Sequence, residues 1–128
     1  MSQHPPVFVV DDEEAVRSSL AKLLRALGVP NKTFASAEAF LAADTGEGGC
    51  LLVDIRMPGM SGLDLIEELG RRGRALPAIV MTGHADASSL QRLETLPMIG
   101  FLEKPFSVVQ LKDILATWRA TLDPVDPA

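Results

Sequence analysis

The sequence predicts an α/β domain built on an open parallel sheet with helices packed on both faces. Two observations predict it. Short β-rich apolar runs without polar alternation recur along the chain, the signature of strands covered on both faces. Segments with apolar residues at helical spacing lie between them, and regular strand–helix alternation leads to a parallel sheet with right-handed crossovers.

The first run is Val7-Phe8-Val9-Val10. Val16, Leu20, Leu23, Leu24 and Leu27 then mark a helix from Glu14 to Leu27, with Gly28 as its stop. Lys32-Thr33-Phe34 is a short strand candidate, and Ser36 is a candidate cap for a helix through Phe40 and Leu41. Cys50-Leu51-Leu52-Val53 is the next buried run. Met57 to Gly62 is a turn-rich loop containing Pro58 and two glycines. Leu63, Ile66 and Leu69 mark a third helix, and Ala78-Ile79-Val80-Met81 a further buried strand. Leu90, Leu93 and Leu96 suggest a fourth helix that must stop at Pro97, and Ile99 to Leu102 is the last strand. Ser107 and Gln110 form a capping box for a helix carrying Leu111, Ile114, Leu115 and Trp118. Residues 1–122 read as one domain. The Pro/Asp-rich stretch 123–128 reads as a frayed tail or the start of a linker.

Composition narrows the function. A chain of 128 residues suits one domain, and 47% hydrophobic residues suffice for one core. A formal net charge of −5 argues against nucleic-acid binding and against an anionic membrane surface. The basic cluster Arg71, Arg72 and Arg74 reads as the solvated end of a helix. The single cysteine, Cys50, excludes an internal disulfide and a cysteine-rich zinc site, and reads as a small core residue. No apolar run is long enough to span a bilayer, and no signal peptide is visible. The default expectation is a cytosolic, reducing compartment. Met57, Met60, Met81 and Met98 read as core or loop filler, and His84 as a loop residue.

The strands end in polar residues of particular kinds. Asp11-Asp12 follows the first, Asp54 the third, Thr82-Gly83 the fourth and Lys104-Pro105 the fifth. In a parallel sheet these ends share one edge, where open α/β sheets place their sites. Each residue alone has an ordinary reading: a helix cap for Asp11 or Asp12, a turn former for Asp54, a cap or turn for Thr82, a solvated surface group for Lys104. Together they describe a chemistry. Three close carboxylates repel one another, and a hard cation removes the conflict. Mg²⁺ takes oxygen ligands and commonly uses one or two carboxylates plus phosphate oxygens. A carboxylate beside it can attack phosphorus and form an aspartyl phosphate. Lys104 can offset charge on the phosphoryl oxygens, the Thr82 hydroxyl can donate to one, and Gly83 leaves room for the donor.

Four motifs carry a resemblance: Val-Val-Asp-Asp-Glu at 9–13, Val-Asp-Ile-Arg-Met-Pro-Gly-Met-Ser-Gly at 53–62, Met-Thr-Gly-His at 81–84 and Leu-Glu-Lys-Pro-Phe at 102–106. With them the chain, from about Val7 to Trp118, resembles the receiver domains of two-component response regulators. The wording of 53–62 and 81–84 is similar to regulators with a helix-turn-helix output, such as the nitrogen-fixation regulators. The resemblance implies a five-stranded doubly wound, flavodoxin-like fold with strand order 2-1-3-4-5. It implies that Asp54 is the phosphoacceptor, and that Mg²⁺ is held by Asp11, Asp12, Asp54 and the backbone carbonyl of Arg56. It makes Thr82 and Phe101 the switch pair, Thr82, Gly83 and Lys104 the phosphate contacts, and the Lys104–Pro105 bond cis. The implied donor is a sensor histidine kinase or a histidine phosphotransfer protein, and the implied listener an output domain or effector.

Three departures stand out. The switch aromatic is Phe101, which has no hydroxyl, rather than tyrosine. Leu96-Pro97-Met98 replaces the Ala-Gly-Ala of many relatives, which predicts a short, displaced or irregular fourth helix. That helix belongs to the face the family uses for signalling and dimerisation. Arg56 sits beside the acceptor, its side chain either solvated or in contact with an acidic neighbour.

The leading function is a signalling phosphoacceptor that catalyses its own phosphorylation and dephosphorylation, has no separate substrate and is not otherwise an enzyme. A phosphorylation-independent docking module on the same fold is the alternative. A haloacid-dehalogenase-type phosphohydrolase fits poorly, because its nucleophile lies in Asp-x-Asp whereas Asp11 and Asp12 are contiguous, and no cap insertion is present. Met1 just before the first strand fits a native start, and the tail fits equally a linker into a longer regulator or hybrid kinase.

Overall fold

Five strands and five helices alternate along the chain: β1 (Val7–Val10), α1 (Glu14–Ala26), β2 (Asn31–Phe34), α2 (Ala37–Ala43), β3 (Cys50–Asp54), α3 (Gly62–Arg71), β4 (Ala78–Thr82), α4 (Ala87–Leu93), β5 (Met98–Glu103) and α5 (Val108–Leu122). The computed structural model describes residues 5–83 and 87–122. His84 and the tail 123–128, both of which the sequence singled out, lie outside the described residues. The strands form one parallel sheet in the order β2-β1-β3-β4-β5. This is the flavodoxin-like doubly wound arrangement.

Strand residues divide between two cores by parity. Phe8, Val10, Leu51, Val53 and Val80 face a layer containing Phe40 of α2, Leu63, Ile66 and Leu69 of α3 and Leu93 of α4. Val7, Val9, Cys50, Leu52, Ile79 and Met81 face Leu20 and Leu24 of α1 and Leu111, Leu115 and Trp118 of α5. Side chains alternate across a strand, so both parities must be apolar, which explains the unbroken runs. Cys50 is wholly buried, and burial pushes its thiol up to about 12. It is a small core residue. Met57 and Met81 are buried, and Met60 and Met98 pack against the core.

Helix ends follow the local sequence. Ser36 accepts the Ala39 amide at 3.0 Å. Ser107 and Gln110 exchange reciprocal bonds of 2.8 and 3.1 Å, the capping box that the sequence signals. Gly28 ends α1 with φ +74, a conformation that side chains disfavour. α4 is short, as Pro97 demands. It ends at Leu93, and the amides of Glu94, Thr95 and Leu96 reach back only three residues. Arg92 ties this helix to α3 through Asp64 (2.9 Å) and Glu67 (3.1 Å).

At the opposite end of the sheet, Arg74 donates to both carboxylate oxygens of Asp44 (2.8 and 2.9 Å) and to the Glu47 carbonyl. Asp44 is 14% exposed and Arg74 18%, so water screens this pair weakly. The Arg74 hydrogen bonds hold the Asp44 carboxyl below its usual range. A depressed folded pKa adds stability that is complete above the unfolded value of about 3.9 and is lost as pH falls through the folded value. Asp44→Ala therefore lowers unfolding free energy by about 1–2 kcal/mol at pH 7. Urea titrations of both proteins will show the difference shrinking as pH drops below the usual carboxylate range.

Candidate functional site

Parallel neighbours end at one edge, and that edge collects the polar residues. Asp11 directly follows β1, Asp54 ends β3, Thr82 ends β4 and Lys104 directly follows β5. Carboxylate oxygens of Asp11, Asp12 and Asp54 all lie within 4.8 Å of one another. The Lys104 ammonium sits 3.1 Å from Asp11 Oδ2, 3.1 Å from Asp54 Oδ2 and 4.0 Å from Glu13 Oε1. Its backbone amide donates to the Thr82 carbonyl at 2.7 Å, which holds the lysine at the end of the ladder.

Each buried carboxylate is also fixed from behind. Asp11 is fully buried; its Oδ1 accepts the Glu13 amide at 2.9 Å, and Arg17 donates to its backbone carbonyl at 2.7 Å. Asp54 is 6% exposed, and its Oδ1 accepts the Arg56 amide at 3.2 Å. The ordinary turn-forming roles are therefore real, and they aim the other oxygen of each carboxylate at Lys104. Asp12 is exposed and forms the open side of the cluster. Arg56 is exposed as well.

Burial raises the pKa of Asp54; the Lys104 hydrogen bond opposes this, and the nearby Asp11 charge adds to it. For Lys104, burial pulls downward, but the two carboxylates outweigh it and the ammonium is held above its usual value. Three carboxylates against one ammonium leave an excess of negative charge at a site where Asp11 and Asp54 are buried and Asp12 is exposed. Among the described residues the donor set is all oxygen, with no histidine or cysteine in the cluster. Such a set fits a hard divalent cation such as Mg²⁺ and does not suit a softer metal.

Thr82 is fully buried at the end of β4. Phe101 is half-buried, pairs in register with Val80 and packs against the core layer on the α2–α3–α4 side. Gly83 is exposed just beyond β4. The Lys104–Pro105 bond is cis.

The structure adds residues that strand ends alone do not single out. Ser61 and Asp64 form a capping box at the start of α3, with bonds of 3.1 and 3.2 Å. Their Ser-x-x-Asp spacing is a readable signal. Gly62 packs directly on the Asp54 backbone and donates to the Ile55 carbonyl at 2.9 Å. Glu13, adjacent to the aspartate pair, completes the ring around Lys104.

Residues 7–116 match the response regulator receiver domain family. The chain belongs to this family. This receiver domain is 45% identical over 123 residues to the transcriptional regulatory protein FixJ of Azorhizobium caulinodans, covering 95% of this chain and 57% of that protein. It is 38% identical over 122 residues to the response regulator protein TmoT of Ectopseudomonas mendocina, covering 94% of this chain and 54% of that protein. The chain thus spans little more than half the length of these curated relatives. The crystal structure of FixJ-N superposes with a TM-score of 0.81 at 39% identity, covering 91% of this receiver and 93% of that chain. Among the described residues, no helix is long and apolar enough to cross a membrane.

Proposed function

We propose that this receiver is a two-component signalling switch, driven by Mg²⁺-dependent phosphorylation of Asp54 from a phosphohistidine. The observation that carries the reading is the Asp11–Asp12–Asp54 cluster bridged by Lys104. Asp11, Asp12, Asp54 and the Arg56 backbone carbonyl would hold the cation. When bound, it supplies charge neutralisation at the phosphoryl oxygens.

The chain's own residues do the rest. A carboxylate oxygen of Asp54 attacks phosphorus, a P–O bond forms, the P–N bond to the donor imidazole breaks and the imidazole leaves. Lys104 already lies 3.1 Å from an Asp54 oxygen, so a transferred phosphoryl group forms beside a fixed positive charge. The Thr82 hydroxyl donates to a phosphoryl oxygen, and the Phe101 ring follows into the space it leaves, a population shift between two packings. Gly83, without a side chain, leaves the donor access. The chain catalyses its own phosphorylation and dephosphorylation and has no separate substrate. The donor is a sensor histidine kinase or a histidine phosphotransfer protein in the cytoplasm. The listener is an output domain or effector, as the name of the relative described as a transcriptional regulator suggests.

The test is intact-protein mass after incubation with acetyl phosphate. With Mg²⁺ the chain gains one phosphoryl group; with excess chelator it gains none. No gain under either condition, repeated with a phosphorylated histidine kinase as donor, removes the switch and leaves a docking module that ignores phosphorylation.

A further inference from the structure

Glu38 stands on α2, outside the carboxylate cluster, yet it reaches the loop that joins the acceptor strand to α3. Its Oε2 accepts the Met60 amide at 3.0 Å, across 22 residues of sequence. A Cβ on the preceding Gly59 would lie 2.7 Å from that same oxygen, and Gly59 has φ +76. The turn requires glycine through its positive φ, and the Glu38 carboxylate, the end of a flexible side chain, rests against it.

The ends of the loop are held from within. The Arg56 amide bonds Asp54, the Gly62 amide bonds the Ile55 carbonyl, and Ser61 caps α3. Glu38 holds the tip from a separate element. That element is itself anchored: Ala37 and Phe40 are fully buried, and Asp44 just past its end is gripped by Arg74. The bond is solvent-exposed, and it joins the tip to an element that is itself fixed.

We propose that Glu38 is a positioning residue for the acceptor site. It fixes the loop 56–60 so that the Arg56 carbonyl and the Asp54 carboxylate keep the arrangement that receives the divalent cation. The inference rests on the function proposed above and extends the site to a residue on a different element. Outer residues that orient ligands change metal affinity without touching the metal.

Calorimetric titration with Mg²⁺ alone tests it, on wild type, Glu38→Ala and Glu38→Gln, with urea stability measured in parallel. Glu38→Ala is expected to bind Mg²⁺ about tenfold more weakly, whereas Glu38→Gln, which retains an acceptor oxygen at the same reach, stays near wild type. Wild-type affinity in Glu38→Ala overturns the proposal, whatever its stability. So does an equal loss in both variants, because the amide still satisfies Met60. If Glu38→Ala does not fold, Glu38→Leu, of similar bulk but without an acceptor oxygen, faces the same criterion. A wild type that binds no Mg²⁺ overturns the cation reading of the site itself, and this inference with it.

Discussion

Asp54→Ala is expected to take up no phosphoryl group from acetyl phosphate and Mg²⁺ under conditions that phosphorylate the wild type completely. Three carboxylates share the cluster, so the outcome discriminates among them. Asp11 has no exposed surface for a donor to reach. Asp12 is exposed and lacks the lysine contact that the other two share. Asp54 alone combines access with a direct 3.1 Å contact to Lys104. The variant should remain folded. Its loss removes a desolvated carboxylate that opposes Asp11, and Lys104 keeps Asp11 as a partner. Intact mass reads the first effect and a thermal melt the second. Phosphoryl uptake by the folded variant at the wild-type rate would move the acceptor to a neighbouring aspartate.

The largest stability effect is expected at Gly62. A Cβ there would meet the Asp54 carbonyl oxygen at 2.3 Å and the Val53 side chain at 3.0 Å. The first of these is backbone in the central strand β3, which cannot yield cheaply. Gly62→Ala should lower unfolding free energy by about 3 kcal/mol. It should also slow phosphorylation of whatever remains folded, because the strand can relax only by shifting Asp54. Gly70 is the control. It lies within α3 with nothing within 4 Å of a built Cβ. Gly70→Ala should raise stability by about 0.5–1 kcal/mol through helix propensity. Urea denaturation of the two variants gives opposite signs if close backbone packing, and not glycine content, sets the cost at position 62.

The sheet and its polar edge are legible in the sequence for a simple reason. Strands covered on both faces are apolar at both parities, so Val7–Val10, Cys50–Val53 and Ala78–Met81 stand out, and the next residue along each marks the edge. The order Asp-Asp, Asp, Thr, Lys then falls at one rim because parallel strands end together. The short α4 follows from Pro97. Strand limits are less visible: β5 begins at Met98 and runs to Glu103, beyond the expected Ile99 to Leu102. Glu38 on Met60, Arg92 on Asp64 and Arg74 on Asp44 were not legible. These pairs lie 22, 28 and 30 residues apart. They depend on how neighbouring elements are rotated against one another, which the period of a single helix does not encode.

Lys104 is 93 residues from Asp11 and 50 from Asp54, and it bonds both. On the ribosome, a growing chain exposes its acidic residues long before the lysine that balances them is made. Until the last strand emerges and docks, the nascent protein carries an unneutralised acidic edge. On the proposed reading, competence to receive a phosphoryl group is then acquired only when β5 docks, in one step with completion of the sheet. A truncated product ending before residue 104 would retain Asp54 but not the charge beside it, and on the proposed reading would take up phosphoryl groups more slowly than the complete sheet.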